Sequence, residues 1–170
     1  FYSKILLFGE YGIIEDSKGL SIPYNFFNGA LKIAEKPNLE SEKSNNTLAD
    51  FCSYLKQLDE LDLDLISFEK HINKGLYFDS SIPKGYGVGS SGALVAAIYD
   101  KYSNNKITVL ENLTREKLLV LKSIFSKMES FFHGKSSGLD PLNSYLSIPI
   151  LIKSKDDINV TGIPSQKLNG

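Results

Sequence analysis

Residues Pro83 to Ala93 read PKGYGVGSSGA and run directly into the apolar stretch LVAAIYDKY, Leu94 to Tyr102. Four glycines and two serines therefore open onto a helix. Glycines let backbone N–H groups approach an anion closely, and a helix N-terminus carries about half a positive charge. The segment reads as a phosphate cradle, with a nucleotide as the leading ligand. The same residues also suit a plain strand-to-helix turn with Ser caps. Two familiar glycine loops do not fit. A P-loop needs G-x-x-x-x-G-K-S/T, and Gly89 is followed by Ser90. Gly87, Gly89 and Gly92 match the G-x-G-x-x-G spacing, but no acidic residue ends a second strand about 20 residues later.

Outward from this loop, the chain reads as an α+β domain. Lys4 to Phe8 is a short apolar strand, continued as a meander through Gly19 to Ile22 and Phe26 to Ile33. Residues 35–46 are polar and turn-rich, which predicts a surface loop. Asn46 or Thr47 then caps a helix reaching about Leu61, with Leu48, Phe51, Cys52, Leu55 and Leu58 at helical spacing. Leu63 to Ile72 and Gly75 to Asp79 read as two strands around the turn Asn73-Lys74. A helix from about Ser91 to Tyr102 follows. Thr114 caps a long helix that ends at His133-Gly134. Asp140-Pro141 opens a short helix with Asp140 as its cap. Tyr145 to Ile152 forms a last strand.

The composition sets limits. A chain of 170 residues with 42% apolar residues can bury a real core. A net charge of −1 gives no reason to expect nucleic acid or an anionic membrane as a partner. No apolar run is long enough to span a bilayer. The single cysteine, Cys52, falls on an apolar helix face and fits a reducing cytoplasm.

Two further segments carry candidate chemistry. In ESFFHGKSSGLDP, Glu129 to Pro141, Glu129 stands near a helix C-terminus, where the macrodipole disfavours an acid. Such an acid often has a task, and Mg²⁺ prefers one or two carboxylates with substrate phosphates. Asp140 suits a substrate hydroxyl or a plain N-cap, and His133 suits a site or a helix terminus. In Lys4-x5-Glu10, alternation puts Lys4 on the sheet face opposite Ile5 and Leu7. An exposed edge Lys fits that segment equally well, and Glu10 is ambiguous alone.

These three segments, in this order, resemble the GHMP kinases, and among them most closely the mevalonate kinases. KILLFGEYGIIED is similar to the family's first motif. PKGYGVGSSGA is similar to its ATP-phosphate loop, P-x-G-x-G-L-G-S-S-A. ESFFHGKSSGLDP is similar to the E-x3-H-G-x-x-S-G-x-D segment of mevalonate kinases. The resemblance implies the fold of a GHMP kinase N-terminal domain, a mixed β-sheet packed with helices, over residues 1–152. Residues 153–170 would begin the connection to a C-terminal domain, whose own Gly-rich motif does not follow Asp140. It implies ATP and Mg²⁺ as cofactors and a small alcohol, mevalonate first, as substrate. A cytoplasmic enzyme of isoprenoid precursor synthesis would follow, and a homodimer is left open.

By the same resemblance, Asp140 would be the base and Lys4 would sit beside it. Gly85, Gly87, Gly89, Ser90, Ser91 and Gly92 would hold the triphosphate. Ser91 and Glu129 would hold Mg²⁺, and Glu10 and His133 would position the substrate. A sister enzyme (phosphomevalonate kinase or diphosphomevalonate decarboxylase) and a non-catalytic nucleotide sensor are the alternatives. Three residues depart from the pattern: Val88 stands for Leu, Gly92 for Ala, and Tyr86 for a small residue.

Overall fold

The computed structural model describes residues 1–8, 18–58, 60–108, 113–154 and 157–160. Its spine is a long strand. β1 (Tyr2–Phe8) pairs with β2 (Gly19–Ile33), and the fifteen residues of β2 also carry partners elsewhere along their length. The far end of β2 pairs with β3 (Leu76–Ser80). Its beginning pairs with β4 (Ile150–Ile152), which pairs in turn with β5 (Ile158–Val160). Every one of these pairings is antiparallel. The α+β class holds, but the mixed sheet expected from the sequence is antiparallel among the described residues. β5 adds its strand within the stretch that the sequence assigns to a connection, and its Ile158 is fully buried.

Among the described residues, five helices complete the fold: α1 (Leu39–Leu55), α2 (Leu65–Ile72), α3 (Ser90–Tyr102), α4 (Arg115–His133) and α5 (Leu139–Leu146). Their apolar stripes and the sheet enclose a core, with Leu48 and Phe51 of α1, Phe68 of α2, Ile98 of α3, Phe125 of α4 and Leu142 of α5 completely buried. None of these helices is long and apolar enough to cross a membrane.

Several local readings of the sequence change. Residues 39–46 are helix, not loop. Asn38 caps α1, its side chain accepting from the Ser41 N–H at 2.8 Å while Ser41 Oγ accepts from the Asn38 N–H at 2.9 Å. The polar residues that suggest a loop serve β3 instead. Asn45 donates to the carbonyls of Ile72 and Leu76, and Ser44 Oγ accepts from the Phe78 N–H. The same helix ends at Leu55 rather than near Leu61.

Leu63 to Ile72 is not a strand. Asp64 caps a helix by accepting from the Ser67 N–H, and Phe68 and Ile72 form its buried stripe. Only Leu63 keeps an extended pairing, an isolated bridge to Ser103. The last strand is also shorter than expected, because α5 continues through Tyr145 to Leu146.

β1 shows what the sheet does for the site. Lys4 and Leu6 face the helices, whereas Leu7 on the other face is 54% exposed. The alternation predicts this opposition, but in a strand read as buried the charged residue is the better buried one.

The Asn38 cap of α1 has a direct test. Asn38→Ala removes the cap and is expected to lower unfolding stability by about 1 kcal/mol in urea denaturation. An unchanged midpoint would argue that residues 39–46 do not depend on a helical cap.

Candidate active site

The Gly-rich loop meets the sheet at Lys4. The Lys4 backbone N–H donates to the Val88 carbonyl at 3.1 Å, which fastens the loop to β1. Gly85, Gly87 and Gly89 all adopt positive φ, at 83°, 67° and 80°. Only at Gly89 is the space also contested: a Cβ there would stand 3.0 Å from Lys4 Cγ. The glycine lets the Lys4 stem lie against the loop.

Gly89 is the N-cap of α3 and supplies no capping side chain. The first helical bond runs from the Ala93 N–H to the Gly89 carbonyl. The amides of the preceding turn belong to those that no helix can satisfy internally, and they carry the positive end of the dipole. The loop and this helix start border a cavity of about 930 Å³. Gly85, Gly87, Gly89, Ser90, Ser91, His133 and Asp140 lie on its wall. Its other walls come from Asn38, from Glu40, Ser41, Ser44 and Thr47 of α1, and from Tyr77 to Ser80 of β3. A volume of this size is at the upper end for small-molecule sites.

Two side-chain groups converge on the start of α3. In the first, Lys4 Nζ lies 2.9 Å from Asp140 Oδ1, joining residues from opposite ends of the chain. The Lys4 side chain is 11% exposed and that of Asp140 is 35% exposed. Asp140 is not the cap of α5, as the sequence suggests. Gly138, in a left-handed conformation at φ 74°, takes that place. A side chain at Gly138 would run into the backbone of α4, 2.2 Å from the Lys122 carbonyl oxygen. Asp140 therefore sits one residue inside the helix, and its carboxylate turns to Lys4 rather than to the α5 amides.

In the second group, Ser91 Oγ donates to Glu129 Oε1 at 3.0 Å. Ser91 has one hydroxyl proton, so His133 Nε2, also at 3.0 Å, must be the protonated nitrogen that donates to it. The second Glu129 oxygen accepts from Ser136 Oγ, which itself accepts from the Gly138 N–H at 3.0 Å. Glu129 is only 3% exposed. Burial pushes its carboxyl above the ordinary range, opposed by the Ser136 and Ser91 hydrogen bonds and reinforced by nearby Asp140.

The sequence picks out Ser91, Glu129 and His133, and the structure brings them into one hydrogen-bonded cluster. It brings Lys4 and Asp140 into an ion pair. Gly92 is buried below the wall, pressed against α5. Glu10 lies outside the described residues. Ser136 is the residue that sequence reasoning misses as a Glu129 partner. The signal was only its place between Gly134 and Gly138, seven residues from the acid.

Among the described residues, no group of three His, Cys, Asp or Glu side chains could hold a metal unaided. A cation here would need ligand oxygens besides Glu129 and Ser91. That donor set suits Mg²⁺, which favours hard oxygens and shares its shell with phosphates.

Residues 47–147 match the family model described as the GHMP kinases N terminal domain. Two solved structures share the fold. One is titled a crystal structure of mevalonate kinase, at 17% identity and a TM-score of 0.53, covering 94% of this chain and 54% of the other. The second is the Methanococcus jannaschii mevalonate kinase, also at 17% identity, with a TM-score of 0.52 and coverages of 95% and 54%. The chain thus spans about half the length of these enzymes. No curated protein matches it in sequence.

Burial of Glu129 has a measurable consequence. Its native carboxyl holds a proton more tightly than the unfolded chain does, so the metal-free protein loses stability as pH rises from the ordinary glutamate range. Glu129→Gln is expected to remove that slope, leaving the metal-free variant at least as stable as wild type at neutral pH. Thermal unfolding across pH 4 to 8, on the order of the window that linkage defines, reads the difference. Equal slopes in the two proteins would show that Glu129 does not carry it.

Proposed function

Because the chain belongs to the GHMP kinase family, through that family's N-terminal domain, we propose that it is the nucleotide-binding half of a kinase. The reaction is ATP- and Mg²⁺-dependent phosphorylation of a small alcohol, with mevalonate the leading acceptor. The Lys4–Asp140 pair beside the Gly-rich loop carries this reading. A protein that only senses nucleotide has no use for a carboxylate and an ammonium at the end of its phosphate cradle.

The backbone amides of the loop and of Ser90 and Ser91 at the start of α3 would hold the triphosphate of ATP. Glu129 and Ser91 would hold Mg²⁺, whose charge would offset that of the phosphates. The acceptor hydroxyl would lie against Asp140. As its oxygen forms a bond to the γ-phosphorus, the bond to the β-phosphate oxygen breaks and ADP leaves. Asp140 takes the hydroxyl proton. Lys4 keeps the carboxylate turned to the cradle and adds positive charge near the transferred group. His133, through Ser91 Oγ, would fix the hydroxyl orientation at the cradle.

The half-length match and the open side of the cavity fit a second domain that closes the site and shares in choosing the acceptor. The similarity of the E-x3-H-G-x-x-S-G-x-D segment to that of mevalonate kinases supports mevalonate over phosphomevalonate or galactose.

The test is ADP release by the full-length protein with Mg·ATP and a panel of mevalonate, phosphomevalonate, galactose and homoserine. Turnover with mevalonate is expected. Asp140→Asn should remove it by several orders of magnitude, as loss of a required proton acceptor does, while nucleotide binding persists. An active Asp140→Asn protein would overturn the assignment of the base. Tight nucleotide binding without turnover on any acceptor would favour the sensing role.

A further inference from the structure

Gly92 closes the Gly-rich loop, yet its position explains it poorly as a cradle residue. It lies in the first turn of α3, outside the cavity wall, and its φ is not among the positive values that require glycine. At an ordinary helical position glycine is the costlier residue, by roughly 0.5–1 kcal/mol relative to alanine. What the site lacks is room. A Cβ at Gly92 would stand 2.7 Å from the Asp140 carbonyl carbon, 2.8 Å from the Pro141 nitrogen and 2.9 Å from Asp140 Cβ. These atoms belong to the rigid opening of α5, not to the movable end of a side chain.

We propose that Gly92 is a positioning residue that sets the separation between the Asp140 carboxylate and the phosphate cradle. This rests on the reading of Asp140 as the base. Each side of the contact is anchored. On α3, the neighbouring Ser91 is tied to Glu129 and His133. On α5, Gly138 is tied to Ser136, and Asp140 is tied to Lys4, which also holds Val88 of the loop. The base and the cradle are therefore two parts of one packed contact, and the missing side chain of Gly92 is its spacer. The motif that this segment resembles carries Ala here, but this chain leaves no room for its methyl, so with α3 held through Ser91 a methyl must push α5 away. That movement separates the proton acceptor from the phosphoryl donor and removes no amide from the cradle.

The contact predicts a split between chemistry and binding. In the full-length protein, Gly92→Ala and Gly92→Ser are assayed for kcat with Mg·ATP and mevalonate, and for Mg·ATP affinity by calorimetry. A displacement of about 1 Å in such a geometry costs on the order of a hundredfold in rate. The expected result is a kcat loss of that order for alanine, larger for serine, with the Mg·ATP dissociation constant unchanged. An unchanged kcat overturns the proposal, and so does a parallel loss of kcat and nucleotide affinity. If circular dichroism shows that Gly92→Ala does not fold, Asp140→Glu carries the test. It keeps Gly92 and reaches one methylene further toward the cradle. It is expected to lose kcat and keep nucleotide affinity, and full activity overturns the spacing argument. An active Asp140→Asn protein would instead defeat the base assignment itself. An inactive Asp140→Asn protein beside a fully active Gly92→Ala protein would defeat only the role of Gly92.

Discussion

Lys4 is fastened at both ends, and the arrangement of the site follows from that. Its backbone N–H holds the Gly-rich loop through Val88, and its ammonium holds α5 through Asp140. A strand, a loop and a helix from distant parts of the chain are registered against one another by a single residue. The Lys4 stem is buried against Gly89, so the ammonium reaches Asp140 along a fixed path. Removing one partner of such a pair is far worse than its modest net contribution suggests, because the other charge is left without compensation. That asymmetry fits a pair that organises a site better than one that only stabilises a fold.

The second cluster is built against its own stability. Glu129 is buried near the C-terminal end of α4, where both low polarity and the helix dipole oppose its charge. Two hydroxyls, from Ser91 and Ser136, offset part of that cost by donating to the two carboxylate oxygens. Neutral donors of this kind compensate a buried anion less well than a cation does. The buried acid therefore costs the folded protein stability that a positive charge beside it would offset.

How much of this the sequence discloses depends on the range of the interaction. The loop, α3 and α4 follow from local chemistry: glycines before an apolar run, and Thr114 before an apolar stripe. Lys4, Ser91, Glu129, His133 and Asp140 each stand in a short segment with unusual composition, and the structure brings them around the start of α3. Residues 39–46 and 65–72 were not legible, for a shared reason. Ser44, Asn45 and Ser41 resemble loop residues by composition, yet their side chains accept from the Phe78 N–H of β3, donate to the Ile72 carbonyl of α2 and accept from the Asn38 N–H at the α1 cap. The run from Leu63 to Ile72 is apolar enough for a strand, and only the Asp64 cap with Phe68 and Ile72 on one stripe marks it as helix.

The partner of a glycine is the hardest thing to read from a chain. Gly87 and Gly92 look alike in PKGYGVGSSGA, but one requires its φ of 67° and the other requires the absence of a side chain. At Gly87 nothing lies within 4 Å of where a Cβ would be; at Gly92 another helix backbone does. The first is a property of the loop and would survive in any fold that keeps the turn. The second exists only because α5, nearly fifty residues later in the chain, returns to that spot. The open glycines leave the loop backbone uncovered beside the cavity, and the crowded one lets the start of α5 pack directly on α3. One short segment therefore meets two different demands, and only the packed structure separates them.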